Sequence, residues 1–300
     1  MKRMFSAPAF ASTEAAEAGS AAAPALSPHV ALTREPPRPR RRWVQWLSAN
    51  PQERVLLWCA AIVFIGVVWQ VVAVAFVRSP LFFPSFTDTV AHAWQLYVSG
   101  HSIYGDFAQS MYEAGVGFGL SLTGIPLGLL IGLSRRLMIA IEPVNSAMYA
   151  LPHIALVPLA IIWFGLGVTS KAFIVFISAF FLILINVSAA VATIGRELQD
   201  VAATYSASRW RTFITIILPG SVPFIFVALQ LAIGRALVGV VAAELFASNK
   251  GLGYLLGVFG NNFETADLFV AIATFAAVGA ILSVLFGLIG RRFEKWRIAA

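Results

Sequence analysis

A chain of 300 residues in which 59% are hydrophobic and 12% charged, with a mean hydropathy of +0.82, is too apolar for a soluble domain and reads as a polytopic membrane protein. The net charge of +7 does not point to nucleic acid, because the basic residues stand at the ends of apolar runs, where membrane topology explains them. The one cysteine, Cys59, excludes an intrachain disulfide and lies inside an apolar run, facing lipid or a neighbouring helix.

Residues 1–49 are expected to form a disordered cytoplasmic tail, rich in Ala, Pro and Ser and ending in a basic juxtamembrane cluster of Arg38, Arg40, Arg41 and Arg42. Lys2 and Arg3 invite a signal-peptide reading, but Pro8, Glu14 and Glu17 interrupt any apolar core. Trp43 and Trp46 suit the headgroup region. Residues 50–297 form the transmembrane domain, with a cytoplasmic loop over 196–218.

The first span is read at Val55 to Val77, long enough for the ~20 residues that cross hydrocarbon. A Pro-punctuated turn from Ser79 to Ser85 follows, then a helical pattern at Val90, Ala93, Trp94 and Tyr97 that is too polar to cross. The second span, about Ser110 to Leu133, carries small-xxx-small pairs at Gly115/Gly119, Gly124/Gly128 and Gly128/Gly132, which let helix backbones approach closely and predict a central helix. A third apolar stretch, Met138 to Phe164, is broken by Pro143, Pro152 and Pro158. Carbonyls freed by such prolines are tolerable only against protein or a wet cavity, so this stretch is a candidate pathway lining. A fourth span runs from Lys171 to Ile194, a fifth from Pro219 to Ala247, and a sixth ends near Gly290, after an external loop from Ser248 to Asp267. The predicted fold class is thus all-α, a transmembrane bundle of six spans.

Between the fourth and fifth spans lies a polar island from Asp200 to Pro219, which must sit in water. Small side chains at Ala202 and Ala203 suit a helix seated in a cleft of another protein. Ser208 is a predicted N-cap for a second short helix, and Pro219 suits the first turn of the next span. With the N-terminus inside, fourteen basic residues face the cytoplasm (Arg38, Arg40, Arg41, Arg42, Arg54, Arg135, Arg136, Arg196, Arg209, Arg211, Arg291, Arg292, Lys295, Arg297) against three outside (Arg78, Lys171, Lys250). This asymmetry puts both termini and the polar island in the cytoplasm and disfavours a five-span topology.

Intramembrane chemistry is sparse. No phosphate-binding G-x-x-x-x-G-K-[ST] run occurs, so ATP binding by this chain is not expected. The histidines His29, His92, His101 and His153 show no metal-ligand spacing, and no catalytic set is suggested. Glu113 and Glu142, near span ends, are expected to snorkel to the interfaces without a functional role. Arg235 lies sixteen residues past Pro219, about 24 Å along a helix and well inside the membrane. It is nine residues from Glu244, so the two point to opposite faces and each needs another partner. For Arg235 the alternatives are a packing role on carbonyls freed by the prolines or on a neighbouring Glu, or a place in the path of an anionic solute, with Glu244, nearer the outer surface, in the external gate or its packing. His153, beside Pro152, is a packing histidine or a ligand contact. Asn186 in the fourth span completes the candidate pathway set.

The polar island resembles a known signature. Asp200, Ala202, Ala203, Ser206, Ile216, Leu218 and Pro219 are similar to the E-A-A loop, E-A-A-x3-G-x9-I-x-L-P, of the inner-membrane permeases of binding-protein-dependent ABC transporters. Two departures stand out: Asp200 in place of Glu keeps the charge, whereas Ser206 in place of Gly is expected to lose the easy left-handed turn. Further stretches, among them Leu81 to Ser85, Gly124 to Arg135, Ile162 to Gly167, Val240 to Glu244 and Gly251 to Tyr254, resemble the nitrate/sulfonate/taurine branch. The resemblance implies a type I importer permease in the inner membrane that works as a homodimer. It further implies two ATPase subunits, which would bind ATP and touch the cytoplasmic loops, and an extracytoplasmic solute-binding protein. The solute would be small and anionic, such as a sulfonate, taurine or nitrate; an aromatic acid or vitamin precursor is also compatible. A carrier without an ATPase would show coupling acids or an internal repeat, and a membrane enzyme would show clustered carboxylates or histidines; neither pattern is found.

Overall fold

A computed structural model describes residues 51–77, 79, 81–100, 103–194 and 204–292, without the side chains of 51, 52 and 54. The basic tail and the loop positions Asp200, Ala202 and Ala203 lie outside the described residues. The chain divides into two units, Met1–Trp58 and Cys59–Ala300, and the architecture below is that of the second.

Every regular element among the described residues is helical. Helix α1 (Pro51–Val72) continues through a π-helical turn, Ala73–Val77, to complete the first apolar run. Cys59 is exposed on it. The segment after it is tied back by Trp69, whose indole N–H donates to the Pro84 carbonyl at 3.0 Å. The Trp69 ring packs against Phe83, Phe86 and Phe269. Helix α2 (Phe86–Trp94) starts at Ser85, whose hydroxyl accepts from the Asp88 N–H. It extends through a π-helical turn, Gln95–Ser99.

The second span comprises α3 (Tyr104–Ser121) and α4 (Gly124–Gly132), joined by a turn at Leu122 and Thr123. After it come α5 (Arg135–Ala150), a 3-10 turn (His153–Leu156) and α6 (Val157–Phe164). The two halves of this third stretch meet at 86°. Of its three prolines only Pro152 stands at the break. Pro143 is accommodated inside α5, and Pro158 occupies the first turn of α6, where a missing N–H leaves no hydrogen bond unmade. Helix α7 (Val168–Thr193) follows. The chain then forms a short α8 (Arg209–Thr212), a π-helical turn (Phe213–Ile217) and α9 (Leu218–Ala247), continuous over 39 residues. A further helix, α10 (Leu252–Asn262), fills the loop that the apolar pattern left without structure, and α11 (Thr265–Arg292) ends the described chain. Among the described residues five helices are long and apolar enough to cross a membrane; the bent pair makes six when counted as one span.

Helix α7 is the buried axis, with 67% of its apolar window inside the fold, against 6% for α1. It packs on α3, α4 and α9. Glycine explains the approach: a Cβ at Gly132 would lie 2.5 Å from Cβ of Val191, and one at Gly128 would lie 2.9 Å from Cβ of Val187. Gly124 meets Ile183 on the same face. The second span is therefore central, but not through all the expected pairs. Gly115 and Gly119 have open space where a Cβ would go, and the close contact in α3 is made by Gly117, 2.5 Å from Cβ of Val175. The i, i+4 rule alone does not say which of two adjacent glycine rows faces α7. On α9 the small residues Ala228, Ala232, Ala236 and Gly239 are buried, and Gly239 approaches Val175 and Ser178 of α7.

Candidate functional site

Three groups of expected site residues are placed by this framework, and they serve different purposes. The first is the second half of the polar island. Ser206 adopts φ +54°, so the left-handed turn is kept with a serine where the resemblance has glycine, against the expectation. Such a conformation costs an L-residue roughly 1–2 kcal/mol. Two residues on, the Ser208 hydroxyl accepts from the Arg211 N–H at 3.3 Å and caps α8 as expected. Trp210 is 70% exposed and stacks on Phe213, while Ile217 is buried. Ile216, Leu218 and Pro219 are half-buried, with Pro219 in the first turn of α9. Helix α8 runs into α9 without a non-helical break. The exposed Tyr205 and Trp210 offer a partner the contact area.

The second group surrounds Arg235. Its side chain is exposed on α9, and Nη2 donates to the Tyr149 hydroxyl at 3.2 Å. The guanidinium carbon lies 5.2 Å from the centre of the Tyr149 ring, within cation–π reach. Neither a freed carbonyl nor a glutamate is its partner. Tyr149, in the last turn of α5, fills that role, and no sequence signal singled it out. His153 sits at the bend that follows, half-buried, hydrogen-bonded with the Met148 backbone and within electrostatic reach of Arg235. Its Nε2 is buried with no partner among the described residues. Arg235, Tyr149 and His153 thus form one group across α5, the bend and α9. Asn186 differs, since its amide donates to the Leu182 carbonyl at 2.8 Å in its own helix.

The third group is built on Glu244 and corrects two expectations. Glu244 is fully buried. Its Oε2 accepts from the Ser110 hydroxyl at 2.8 Å and from the Gly253 N–H at 2.7 Å. Glu113 is equally buried and does not snorkel: its Oε1 accepts from Lys171 Nζ at 2.5 Å and from the Gln109 amide at 2.6 Å. Lys171, read from sequence as an external loop charge, is 5% exposed and also donates to the Ser248 hydroxyl at 2.8 Å. The Gly251 N–H donates to Asp106 at 2.6 Å, and the Leu252 N–H to the Ser110 hydroxyl at 2.8 Å. The first turn of α10 is thereby capped by side chains of α3 and α9, which satisfy donors that a helix start leaves unpaired. Glycine is required at this junction. Gly251 has φ +107°, and a Cβ there would lie 2.5 Å from Glu244 Oε1. A usable signal did exist in the sequence: isolated Glu113, Lys171 and Glu244 in three apolar helices, with opposite charges needing partners.

Among the described residues no cluster of three or more His, Cys, Asp or Glu could hold a metal ion. The three groups lie along one helical run: a short helix continuous with a span, a cation on that span, and a buried polar junction near its other end.

Comparison with known proteins places this arrangement. Residues 124–298 match the family model of the binding-protein-dependent transport system inner membrane component. The chain is 31% identical over 268 residues to a putative aliphatic sulfonates transport permease protein, SsuC, of Bacillus subtilis (strain 168), covering 89% of this chain and 92% of that protein. It is 29% identical over 214 residues to the nitrate import permease protein NrtB of Leptolyngbya laminosa, covering 68% and 77%. It is also 37% identical over 162 residues to the riboflavin transport system permease protein RibX of Chloroflexus aurantiacus, covering 54% and 60%. In fold it resembles the inward-facing MetNI methionine ABC transporter, with a TM-score of 0.52 over 63% of this chain and 93% of that one at 16% identity. Apolar helices in this number, the short helix continuous with α9 and a family match over more than half of the chain lead to one conclusion: the protein belongs to the binding-protein-dependent transport system inner-membrane components, the permease subunits of ABC importers.

Proposed function

We propose that the permease translocates a small anion of the sulfonate, taurine or nitrate kind, that it works as a homodimer with both termini in the cytoplasm, and that separate ATPase subunits drive it through the 196–218 loop. One observation carries the solute class. Arg235 stands on a spanning helix, exposed, oriented by Tyr149 and paired with no carboxylate among the described residues. A guanidinium in that position is costly against lipid and is accounted for by a wet cavity or a second copy of the chain. Its free donors suit an oxyanion, which the planar fork of arginine binds in bidentate fashion. Kinship with the sulfonate and nitrate permeases supports the same class.

Uptake by Arg235→Lys and Arg235→Gln variants that still assemble tests this. Loss of transport in the Gln variant, with partial retention in the Lys variant, is expected. Wild-type uptake in both would remove Arg235 from the pathway. A second reading, a larger aromatic or vitamin-precursor solute, is favoured by the 37% identity to the riboflavin permease and by the aromatic face that Tyr149 presents. Competition between a sulfonate and riboflavin in the same uptake assay separates the two.

The loop role rests on the continuity of α8 with α9 and on Asp200, Ala202, Ala203 and Ser206, of which only Ser206 is described. Ala203→Arg is expected to abolish transport and weaken ATPase association while leaving the chain inserted. Undiminished transport by that variant would count decisively against it.

A further inference from the structure

The junction of α3, α7, α9 and α10 holds two buried carboxyl groups and one buried ammonium. Glu113 Oε1 is occupied by Lys171 and Gln109, and Glu244 Oε2 by Ser110 and Gly253. Each group has one oxygen left, Glu113 Oε2 and Glu244 Oε1, and both are buried without a donor. Glu113 lies one turn from Ser110 on α3, and the Ser110 hydroxyl donates to Glu244, so both carboxyls face the same junction with one donorless oxygen each. Two carboxylate lone pairs cannot bond without a hydrogen between them. The charged groups on the facing elements are Asp106 and Glu113 on α3, Lys171 on α7, Glu244 on α9, and Lys250 in the connection. Lys250 is exposed and Asp106 is half-buried on the Gly251 N–H, so Lys171 is the one buried cation there among the described residues. With both carboxyls ionised the buried core would carry an uncompensated negative charge, which a low-dielectric interior does not support.

We infer that Glu113 and Glu244 together bind one exchangeable proton, shared between Glu113 Oε2 and Glu244 Oε1, and that this proton fixes α10 to the adjoining ends of α3, α7 and α9. The proton leaves the junction neutral: an ionised Glu113 against Lys171, and a protonated Glu244 donating to Glu113. The latch holds through Glu244 Oε2, which retains the Gly253 N–H, and through Lys171, which retains Ser248. Removing the proton would set like charges in contact under the first turn of α10. This inference does not depend on the solute or on the role of Arg235.

Infrared spectroscopy of the full-length chain reconstituted in lipid vesicles tests it. At neutral pH the wild type should show the carbonyl band of a protonated carboxylic acid, shifting on exchange into D2O and disappearing at strongly alkaline pH. Glu244→Gln, whose amide can donate to Glu113 in the place of the proton, should lack the band, remain folded, and lose the alkaline decline of the thermal unfolding midpoint seen in the wild type. Absence of the band in the wild type at neutral pH would overturn the inference without reference to any variant. Its persistence in Glu244→Gln would overturn it as well. Bleaching of the band by sodium at constant pH would assign the site to a cation and overturn it in a third way.

Discussion

Single residues decide the helix contacts, and glycine shows this most directly. Gly117 and Gly132 each place a would-be Cβ 2.5 Å from a valine of α7, close to backbone carbonyls that cannot move aside. Gly117→Ala and Gly132→Ala should each destabilise the fold by about 1–3 kcal/mol, the usual cost of overpacking. Gly115→Ala should be silent in the isolated subunit, since that position borders an apolar groove lined by Met111, Phe118, Ile233 and Leu282. Thermal unfolding in detergent compares the three, and equal midpoints would contradict the assigned helix face. The glycine row in the sequence announces close packing but not its azimuth, which depends on where α7 lies. The same limit applies to Glu113 and Lys171. Each can be read as interfacial from its place near a span end, and only their mutual approach across 58 residues shows them to be a buried pair. Removing one partner of such a pair costs about 3–5 kcal/mol, because the other charge stays buried. Lys171→Met should therefore be far more damaging than the Lys171→Met/Glu113→Gln double change, as a double-mutant cycle would report.

At the scale of elements, the lever from Ser206 through α8 into α9 rests on two local choices. Ser206 holds a left-handed backbone, so Ser206→Gly should leave transport intact and stabilise the turn by up to about 1 kcal/mol, relief of strain being partly offset by the entropy of glycine. Ser206→Val, with a β-branched side chain that does not tolerate this region, should disrupt the loop. Ser208→Ala removes the cap and should cost about 1 kcal/mol of local helix stability, read as faster amide exchange over Arg209 to Phe213. The cap was legible in the sequence because it needs only a hydroxyl three residues before a free N–H. Helix α10 was not. Its eleven residues include five glycine or asparagine positions, and the side chains that cap it come from Asp106, Ser110 and Glu244, distant in sequence.

For the whole molecule the topology is the first quantity to test. In a background with Cys59 replaced, a cysteine at Ala207 should be inaccessible to impermeant thiol reagents from outside intact cells and should react in inside-out vesicles. Labelling from outside would sink the assigned orientation. The apolar spans were within reach of the sequence alone, because hydrocarbon imposes a length of ~20 apolar residues. The first apolar run, Val55–Val77, came out with the bounds read from hydropathy, and the family signature was readable because a docking loop must keep its spacing. Which residues meet was settled by tertiary structure. Hydropathy is a sum along one helix, whereas Tyr149 under Arg235, Lys171 on Glu113, and Glu244 beneath Gly253 are pairings between helices. Their partners are chosen by the rotation and depth at which each helix packs, and the period of one segment carries no information about either.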